Sequence, residues 1–267
     1  MLGKLSVGFQ GEPGAFSEEA ARALLGDIDA RGFATFDDLV AAVDANDVTY
    51  GLLPVENTIY GSIARSYDLL WSRRRIRIVD ETTHRISQCL VGLTNATIAG
   101  VGRVASHPVA IEQCRRFLAS LQKAKVAVVE DTAAAVRMVI EHGDPAQAAI
   151  ASASAAKRYG GTVLASDIQD DADNFTRFFL IQRDGTPRRN SGQACMALIL
   201  PHETGSLNKA LQTFAEAGCN LRSLVARPDR KSAFNYIFYI EFQCDGKTTP
   251  LDMLHSLGNS AELLGVY

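Results

Sequence analysis

Short apolar runs alternate with amphipathic stretches along the first 185 residues. The apolar runs predict strands, and the stretches between them, where apolar residues recur at helical spacing, predict helices. Gly26 marks the end of one predicted helix, and Pro108 marks the start of another. Strands and helices in alternation are typical of an α/β architecture with largely parallel sheets. The predicted strands are 5–9, 31–34, 50–55, 76–82, 85–93, 101–105, 126–130, 148–151 and 173–181, and the predicted helices are 17–25, 36–44, 61–71, 108–121, 131–142 and 152–159.

The pattern changes after a polar stretch, residues 186–192, which contains Pro187 and Gly192 and which we interpret as a linker. Beyond it the predicted order is strand, helix, strand, strand, helix, strand. This βαββαβ order is typical of ferredoxin-like folds, and a length of about 75 residues suits a separate small domain. The predicted elements are 194–200, 206–217, 221–227, 234–243, 250–257 and 263–267.

Charge and composition give no indication that the protein binds nucleic acid or a membrane. The chain has 267 residues, a formal net charge of -3 and a pI of about 6.0. This near-neutral balance gives no reason to expect binding to nucleic acid or to an anionic membrane. No apolar run approaches the roughly 20 residues that a membrane-spanning helix needs, and the first residues lack the apolar core and cleavage site of a signal peptide. We therefore expect a cytoplasmic protein.

The five cysteines are widely spaced and include no Cys-x-x-Cys pair. Reduced thiols are the simplest interpretation for a cytosolic protein. The five histidines show no spacing typical of a zinc site, so we expect no bound metal.

The stretch GFQGEPGAFSEEAA, which begins at Gly8, joins a predicted strand, a glycine-rich turn and a helix N-terminus. The free amides and the dipole of such a helix favour an anion, and the glycines allow close approach to the backbone. The glycine spacing differs from that of a dinucleotide-binding motif, and no lysine follows as in a P-loop. The alternative is a tight strand-to-helix turn with Ser17 as the helix cap.

Two further polar stretches follow predicted strands. In LPVENTIYGS, Glu56 and Asn57 come at the carboxyl end of a strand, where ligands bind in open α/β sheets, although Asn57 could instead close an Asx-turn. In SHPVAIEQC, Ser106 is a predicted helix cap and Gln113 lies nearly two turns into the helix, so the two can lie on one side of it. His107 is either a proton donor near neutral pH or a hydrogen-bonded structural residue.

The stretch DNFTRFFLI, residues 173–181, is a predicted strand with two polar residues in its middle. Side chains alternate between the faces of a strand, so Thr176 shares a face with Phe178 while Arg177 points the other way. Thr176 and Arg177 can therefore reach one ligand only if the strand ends or twists between Asn174 and Arg177. Without a ligand, Thr176 would fill a β-branched position and Arg177 would extend to solvent.

In this order the four stretches resemble the prephenate dehydratase family, and ETGSLNKALQTFAEAGCNLRSLVARP resembles the ACT regulatory domain that follows the catalytic part in that family. The resemblance implies a catalytic domain over residues 1–185, of the periplasmic-binding-protein-like type, with two α/β subdomains and a cleft between them. The subdomains would be about 1–82 with 166–183, and about 83–165. The resemblance also implies an ACT domain over residues 193–267 and a homodimer or homotetramer. We expect the monofunctional form, because no helical segment like chorismate mutase precedes Leu5.

The family converts prephenate to phenylpyruvate in phenylalanine biosynthesis, with loss of carbon dioxide and water. Aromatisation drives this reaction, so the resemblance implies neither cofactor nor metal. It assigns to Thr176 the hydrogen bond, or the relayed proton, that helps hydroxide to leave. Arg177 would bind a substrate carboxylate, and Phe178 would form a wall of a dry pocket. The other substrate-binding residues that the resemblance implies are Asn57, Ser106, Gln113, Ser17 and Glu56.

The ACT-like region departs from the family pattern at one motif. The family usually has Glu-Ser-Arg-Pro after the first helix, where it contributes to phenylalanine binding, whereas this chain has Val225-Ala226-Arg227-Pro228. The upstream Gly-Ala-Leu element is Gly205-Ser206-Leu207. Gly205, Ser206, Leu207, Arg227 and Pro228 are therefore the candidate allosteric residues. The region would bind phenylalanine weakly, bind another amino acid, or serve only as a dimer interface.

Two other functions stay open at this point. Arogenate has an amino group where prephenate has a keto group, so an arogenate dehydratase could use the same site. A cytosolic amino-acid-binding sensor would use the cleft without turnover, and the pair of Thr176 and Arg177 favours the enzyme over the sensor.

Overall fold

A computed structural model describes residues 4–189, 192–229 and 235–267. Strands and helices alternate as expected, and nearly every predicted element is present within a few residues of its predicted bounds. The strands are Ser6–Gln10 (β1), Asp29–Phe33 (β2), Tyr50–Asn57 (β3), Gly61–Ser62 (β4), Ile76–Arg85 (β5), Cys89–Gly92 (β6), Arg103–Ser106 (β7), Lys125–Val128 (β8), Gln147–Ala151 (β9), Thr162–Ala165 (β10), Phe175–Arg183 (β11), Gln193–Ile199 (β12), Cys219–Pro228 (β13), Tyr236–Cys244 (β14) and Ala261–Val266 (β15). The helices are Phe16–Leu25 (α1), Phe36–Ala45 (α2), Ala64–Ser72 (α3), Pro108–Gln113 (α4), Arg115–Ser120 (α5), Thr132–His142 (α6), Ala153–Tyr159 (α7), Ser206–Glu216 (α8) and Pro250–Leu257 (α9), with 3-10 turns at Ile98–Gly100 and Gly258–Ser260.

The described strands form two mixed sheets. The larger has the order β13-β14-β12-β15-β5-β11-β3-β1-β2, with β4 on β3, and the smaller has the order β10-β6-β9-β7-β8. β1 is parallel to β2 and β3, whereas β11 runs antiparallel between β3 and β5. The expectation of largely parallel sheets is therefore wrong. The chain returns from the smaller sheet through β11, and this return reverses the strand direction in the middle of the larger sheet.

The predicted helix over 108–121 is divided at Cys114 into α4 and α5. The loop before β11 supplies the reason. The Asp170 amide donates to the Gln113 carbonyl (2.6 Å), and the Arg116 amide donates to Asp170 Oδ1 (3.0 Å). These bonds replace helical ones at the turn where the helix is interrupted, and such a replacement is a recognised cause of a helix break.

The region after residue 192 has the predicted order βαββαβ, from β12 to β15. Its sheet joins the first one, because β15 lies parallel to β5 with Gly265 opposite Ile78. A Cβ atom at Gly265 would lie 2.3 Å from the Ile78 carbonyl oxygen, so this approach requires glycine. The described part of the predicted linker is hydrogen-bonded to β5 as well, since the Arg188 amide donates to the Val79 carbonyl (2.9 Å). Residues 190 and 191 of that linker lie outside the described residues.

The core beneath the larger sheet contains residues from before and after the predicted linker. Tyr67 of α3 stacks on Tyr239 of β14, with ring centroids 5.5 Å apart, and Phe179 of β11 packs against Tyr267 at 5.1 Å. These four rings are almost fully buried in one apolar cluster. Burial of aromatic rings is among the largest contributions to core stability, so the C-terminal region is part of the core that supports β11.

The sulfur atoms of Cys219 and Cys244 are joined in a disulfide, so the expectation of five reduced thiols is wrong for this pair. The two residues lie directly opposite each other on β13 and β14, and this register brings their side chains together. Cys89, Cys114 and Cys195 are free and buried. Within the three described ranges, no helix has the length and apolar character needed to span a membrane.

Candidate active site

A cavity of about 320 Å³ lies between the two sheets and receives side chains from elements of both. Most of its walls are apolar, and a few amide, hydroxyl and imidazole groups converge on it. None of the lining residues is a lysine, an arginine or a carboxylic acid. A mostly apolar cavity with a few convergent polar groups is typical of a small-molecule site. The lining residues are Phe16, Ser17, Pro54, Asn57, Tyr60, Ile63, Ile86, Gln88, His107, Val109, Ala110, Gln113, Thr132, Thr176 and Phe178.

Three helices begin at this cavity. Phe16 and Ser17 are the first two residues of α1, Val109 lies in the first turn of α4, and Thr132 is the first residue of α6. Helix N-termini present unpaired amides and the positive end of the dipole, which together favour a bound anion. Ser17 therefore lies at the start of α1, where the free amides face the cavity. It is not the helix cap, because Ala15 holds that position.

Asn57 holds the hydroxyl group of Thr176. The two hydrogens of the Asn57 side-chain amide are shared among three acceptors, which are Thr176 Oγ1 (3.1 Å), the Phe175 carbonyl (3.0 Å) and Asn174 Oδ1 (2.8 Å). Its own oxygen accepts the amides of Ile59 and Tyr60, both at 3.0 Å, and so closes an Asx-turn. The Asx-turn is thus confirmed, and Asn57 also lines the cavity, where its contact with a ligand stays a prediction. Since Thr176 Oγ1 accepts from Asn57, its own hydrogen is left to donate to a ligand.

A β-bulge places these groups on one face. Across β3 and β11, Thr176 pairs with Asn57, Arg177 with Glu56, and Phe178 with Pro54. Val55 is the extra residue, so Pro54 and Asn57 share a face although they are three residues apart. Proline lacks the amide that a regular ladder would need, and a bulge in an interior strand tolerates it. Phe178, which is 2% exposed, lines the cavity beside Thr176, as its strand position predicted.

Gln113 reaches the cavity together with a second amide. Gln88 donates through Nε2 to Gln113 Oε1 (3.1 Å), and the backbone amide of Gln88 is held by Gln169 Oε1 (2.9 Å). The sequence patterns point to neither Gln88 nor the lining residue Thr132. The available signal is weak: Gln88 is a polar residue directly before the start of the buried strand β6, whereas Glu56 and Asn57 are the last two residues of β3.

Ser106 is fully buried and is not among the residues that line the cavity. Its hydroxyl donates to the Ile150 carbonyl (2.6 Å), a bond that ties β7 to the neighbouring β9. The predicted cap is also corrected, because His107 is the residue before α4 and its Nδ1 accepts the Val109 amide (3.2 Å). Burial lowers the pKa of His107, partly offset by the charge of Asp131. The ring is therefore neutral at pH 7 and carries its hydrogen on Nε2.

Arg177 and Glu56 do not reach the cavity. The strand β11 continues through Arg177, and the alternation of its side chains places Arg177 on the face opposite Thr176. There Arg177 donates to Glu56 Oε2 (3.0 Å), Glu81 Oε2 (3.2 Å) and Glu241 Oε1 (2.8 Å). Burial opposes the charge of Arg177, but the Glu241 carboxylate raises its pKa above the usual value. The expected contacts of Arg177 and Glu56 with substrate are corrected accordingly.

The candidate allosteric residues lie in two places. Gly205 is the residue before α8, in a left-handed conformation with φ 86°, and Ser206 and Leu207 begin that helix. Arg227, near the end of β13, binds Asp68 of α3 (2.8 Å), and Pro228 lines a separate cavity of about 580 Å³. Gly205, Ser206 and Leu207 are not among the residues that line this second cavity.

Comparison with known proteins decides the family. The family model for prephenate dehydratase matches residues 7–186, about two thirds of the chain. The chain belongs to the prephenate dehydratase family. The match covers all the elements that line the cavity, from α1 to β11.

Two curated relatives illustrate the family. Arogenate dehydratase 2 of Petunia hybrida is 37% identical over 258 residues, covering 90% of this chain and 64% of the relative. The bifunctional chorismate mutase/prephenate dehydratase of Aquifex aeolicus is 32% identical over 242 residues, covering 90% of this chain and 66% of the relative. The chain thus spans slightly less than two thirds of the length of these relatives.

Two solved structures share the whole fold. Prephenate dehydratase from Arthrobacter aurescens, in complex with L-Phe, has a TM-score of 0.89 at 27% identity, covering 98% of this chain and 90% of that one. A structure described as GqqA, a novel type of quorum quenching acylase, has a TM-score of 0.88 at 31% identity, covering 98% of this chain and 97% of that one. Proteins with two different described activities therefore share this fold.

Proposed function

We propose that this protein is a prephenate dehydratase, which converts prephenate to phenylpyruvate, carbon dioxide and water in phenylalanine biosynthesis. One observation carries the proposal. The hydroxyl of Thr176 is held by Asn57 in an apolar cavity at which three helices begin, with its hydrogen free to donate. This arrangement suits a dianionic substrate that must lose a hydroxide.

The substrate carboxylates would be bound by backbone amides at the starts of α1, α4 and α6. Prephenate carries two carboxylates, and a site without arginine or lysine does not overstabilise the carboxylate that must leave. The apolar floor of Pro54 and Phe178 lowers the hydration of that carboxylate, which favours loss of its charge. Anion binding here therefore depends on fixed dipoles, which cost no reorganisation during the reaction.

In the reaction, the bond between the ring and its carboxylate breaks, and its electron pair enters the ring. The carbon–oxygen bond on the opposite side of the ring then releases hydroxide, and the ring becomes aromatic. Thr176 would donate a hydrogen bond to this leaving oxygen, while the Asn57 amide stabilises negative charge that develops on Oγ1. A threonine hydroxyl is too weak an acid to form a free alkoxide, so the proton that completes water reaches the oxygen by relay. The neutral His107, with its hydrogen on Nε2, provides a second donor at the cavity.

Arogenate is the alternative substrate. Several relatives are arogenate dehydratases, and the uncharged amides of Gln88 and Gln113 at the cavity suit either a keto or an amino group. The acylase-like structural relative supports a further candidate less well. Among the described residues, neither an imidazole nor a carboxylate accepts the proton of Thr176, and a nucleophilic hydroxyl needs such a base.

We further propose that residues 193–267 form an ACT domain that pairs in a homodimer or homotetramer, and that the protein is cytoplasmic. The βαββαβ order supports the ACT assignment. The L-Phe complex of the Arthrobacter relative supports phenylalanine as an effector, although Val225 and Ala226 replace the usual Glu-Ser.

The test is a turnover assay with prephenate and arogenate side by side, repeated with phenylalanine. We expect formation of phenylpyruvate, or of phenylalanine from arogenate. Turnover of neither substrate would overturn the proposed activity. An unchanged rate at saturating phenylalanine would leave the C-terminal region with a structural role.

A further inference from the structure

Five charged side chains meet behind β11, on the face opposite the cavity. They are Arg177, Glu56, Glu81, Glu241 and Arg222, and we call them the Arg177 cluster. Arg177 lies at the centre and bonds to all three carboxylates, while Arg222 of β13 donates to Glu81 Oε1 (2.8 Å). Two cations thus face three anions, and the central pair is largely shielded from water, because the Arg177 side chain is only 13% exposed.

Glu241 comes from β14, in the C-terminal region, and only 1% of its side chain is exposed. It is held from three directions, since it accepts from Tyr67 of α3 (2.6 Å), from Tyr267 at the end of the chain (3.0 Å) and from Arg177. A buried carboxylate that loses its charged partner is strongly destabilised, whereas a fully bonded one is fixed in position. Glu241 is therefore a rigid anchor for the guanidinium of Arg177.

The Arg177 cluster lies directly behind the Asn57–Thr176 hydrogen bond. In the register of β3 and β11, Arg177 pairs with Glu56 one position away from the pair of Thr176 with Asn57. The bulge at Val55 interrupts the backbone ladder at this point, so side-chain bonds contribute more to the alignment of the two strands here than elsewhere. A shift of Arg177 would therefore move Thr176 relative to Asn57.

We propose that Arg177 is a positioning residue for Thr176, and that Glu241 of the C-terminal region holds it in place. The C-terminal region then sets the geometry of the site through an ion pair, whether or not it binds an effector. The kinetic part of this inference rests on the proposed function.

The test is the variant Glu241→Gln in the full chain. Glutamine keeps the volume and an acceptor for Tyr67, but it removes the charge that binds Arg177. We expect kcat to fall about 10- to 100-fold with KM within about twofold, because the lining residues stay in place while the reacting hydroxyl moves. The matched control is Asp184→Asn, which also replaces a carboxylate by an amide, in an exposed ion pair with Arg75 away from the cluster. The control should keep kcat.

A second measurement separates this inference from the proposed activity. Amide hydrogen exchange over residues 174–178 should be faster in Glu241→Gln than in the parent protein, and unchanged in Asp184→Asn. This readout needs no turnover, so it decides the inference even if the parent converts neither substrate. A lower melting temperature with kcat and exchange at 174–178 both unchanged would overturn the inference, because Glu241 would then stabilise the fold without positioning the site.

Discussion

At the scale of single residues, the alternation of side chains in β11 predicts correctly which of them face the cavity. Thr176 and Phe178 reach the cavity, and Arg177 does not. No local sequence pattern predicts which residues Arg177 binds, because its strongest partner, Glu241, is 64 residues away in sequence. Strand periodicity shows that a charge needs a partner, but only the tertiary fold supplies that partner.

The capping of α4 was predicted one residue too early for a similar reason. Serine is a common helix cap, and Ser106 directly precedes the segment His107-Pro108. The strand β7 extends through Ser106 and buries it. His107 is therefore the helix cap, and its ring nitrogen accepts the amide hydrogen of Val109. Local preference identified the position of the helix start within one residue, and the extent of the strand decided which side chain caps it.

His107 carries a prediction about pH. Its pKa lies below the usual value of about 6.5 because of burial, so the unfolded chain binds a proton more readily than the folded protein. Stability is then fully present above about pH 6.5 and is lost as the pH falls below that value. Replacing His107 by Asn, a neutral cap, should flatten this dependence between pH 7 and pH 5, because the variant has no imidazole to protonate at this position.

The measurement is urea unfolding of the parent protein and of His107→Asn at pH 5, 6 and 7. The same substitution at the exposed His202, away from the cavity, is the matched variant for comparison. Equal slopes for the parent and His107→Asn would show that His107 does not titrate differently in the folded protein.

At the scale of elements, apolar periodicity was sufficient for most strands and helices. It was insufficient where tertiary contacts intervene. The helix over 108–121 breaks because Asp170 binds to both sides of Cys114, and β4 shortens the start of α3 because Gly61 and Ser62 pair with β3. The bulge at Val55 is likewise set by strand pairing, although Pro54 in an apolar strand is a local signal for it.

The close packing of β15 against β5 leads to a prediction at the scale of elements. Alanine at position 265 would place a Cβ atom 2.3 Å from the Ile78 carbonyl oxygen and 2.6 Å from the Ile78 Cβ atom. Gly265→Ala should therefore reduce the free energy of unfolding by about 2–3 kcal/mol, the usual cost of overpacking a tight interior.

Gly102→Ala is the matched control, because its added Cβ atom would meet nothing closer than 3.9 Å. Urea unfolding of both variants checks the prediction. Equal stability of Gly265→Ala and Gly102→Ala would mean that β15 and β5 approach less closely than described.

At the scale of the whole molecule, the order of elements predicted an α/β part followed by a βαββαβ part, and the family resemblance implied that the first part is catalytic. The order alone does not show that one sheet connects them or that they share a core. The rings of Tyr67, Tyr239 and Tyr267, together with the Arg177 cluster, pack the C-terminal region directly behind the strand that carries Thr176. Such contacts between distant segments depend on tertiary packing, and periodicity within one element carries no information about them.

The central claim is that the Thr176 hydroxyl, held by Asn57, assists the loss of hydroxide. Thr176→Val removes the hydroxyl and keeps the β-branched shape, and Thr176→Ser keeps the hydroxyl. Thr162→Val is the matched control, since Thr162 lies in β10 and its side chain bonds only to Thr94 among the residues that the structure describes.

The decisive measurement is kcat for prephenate and arogenate in these three variants and in the parent protein, with the melting temperature as a check on folding. The account predicts a loss of at least about 100-fold for Thr176→Val, substantial activity for Thr176→Ser and parental activity for Thr162→Val. A folded Thr176→Val variant with a kcat close to that of the parent would contradict it.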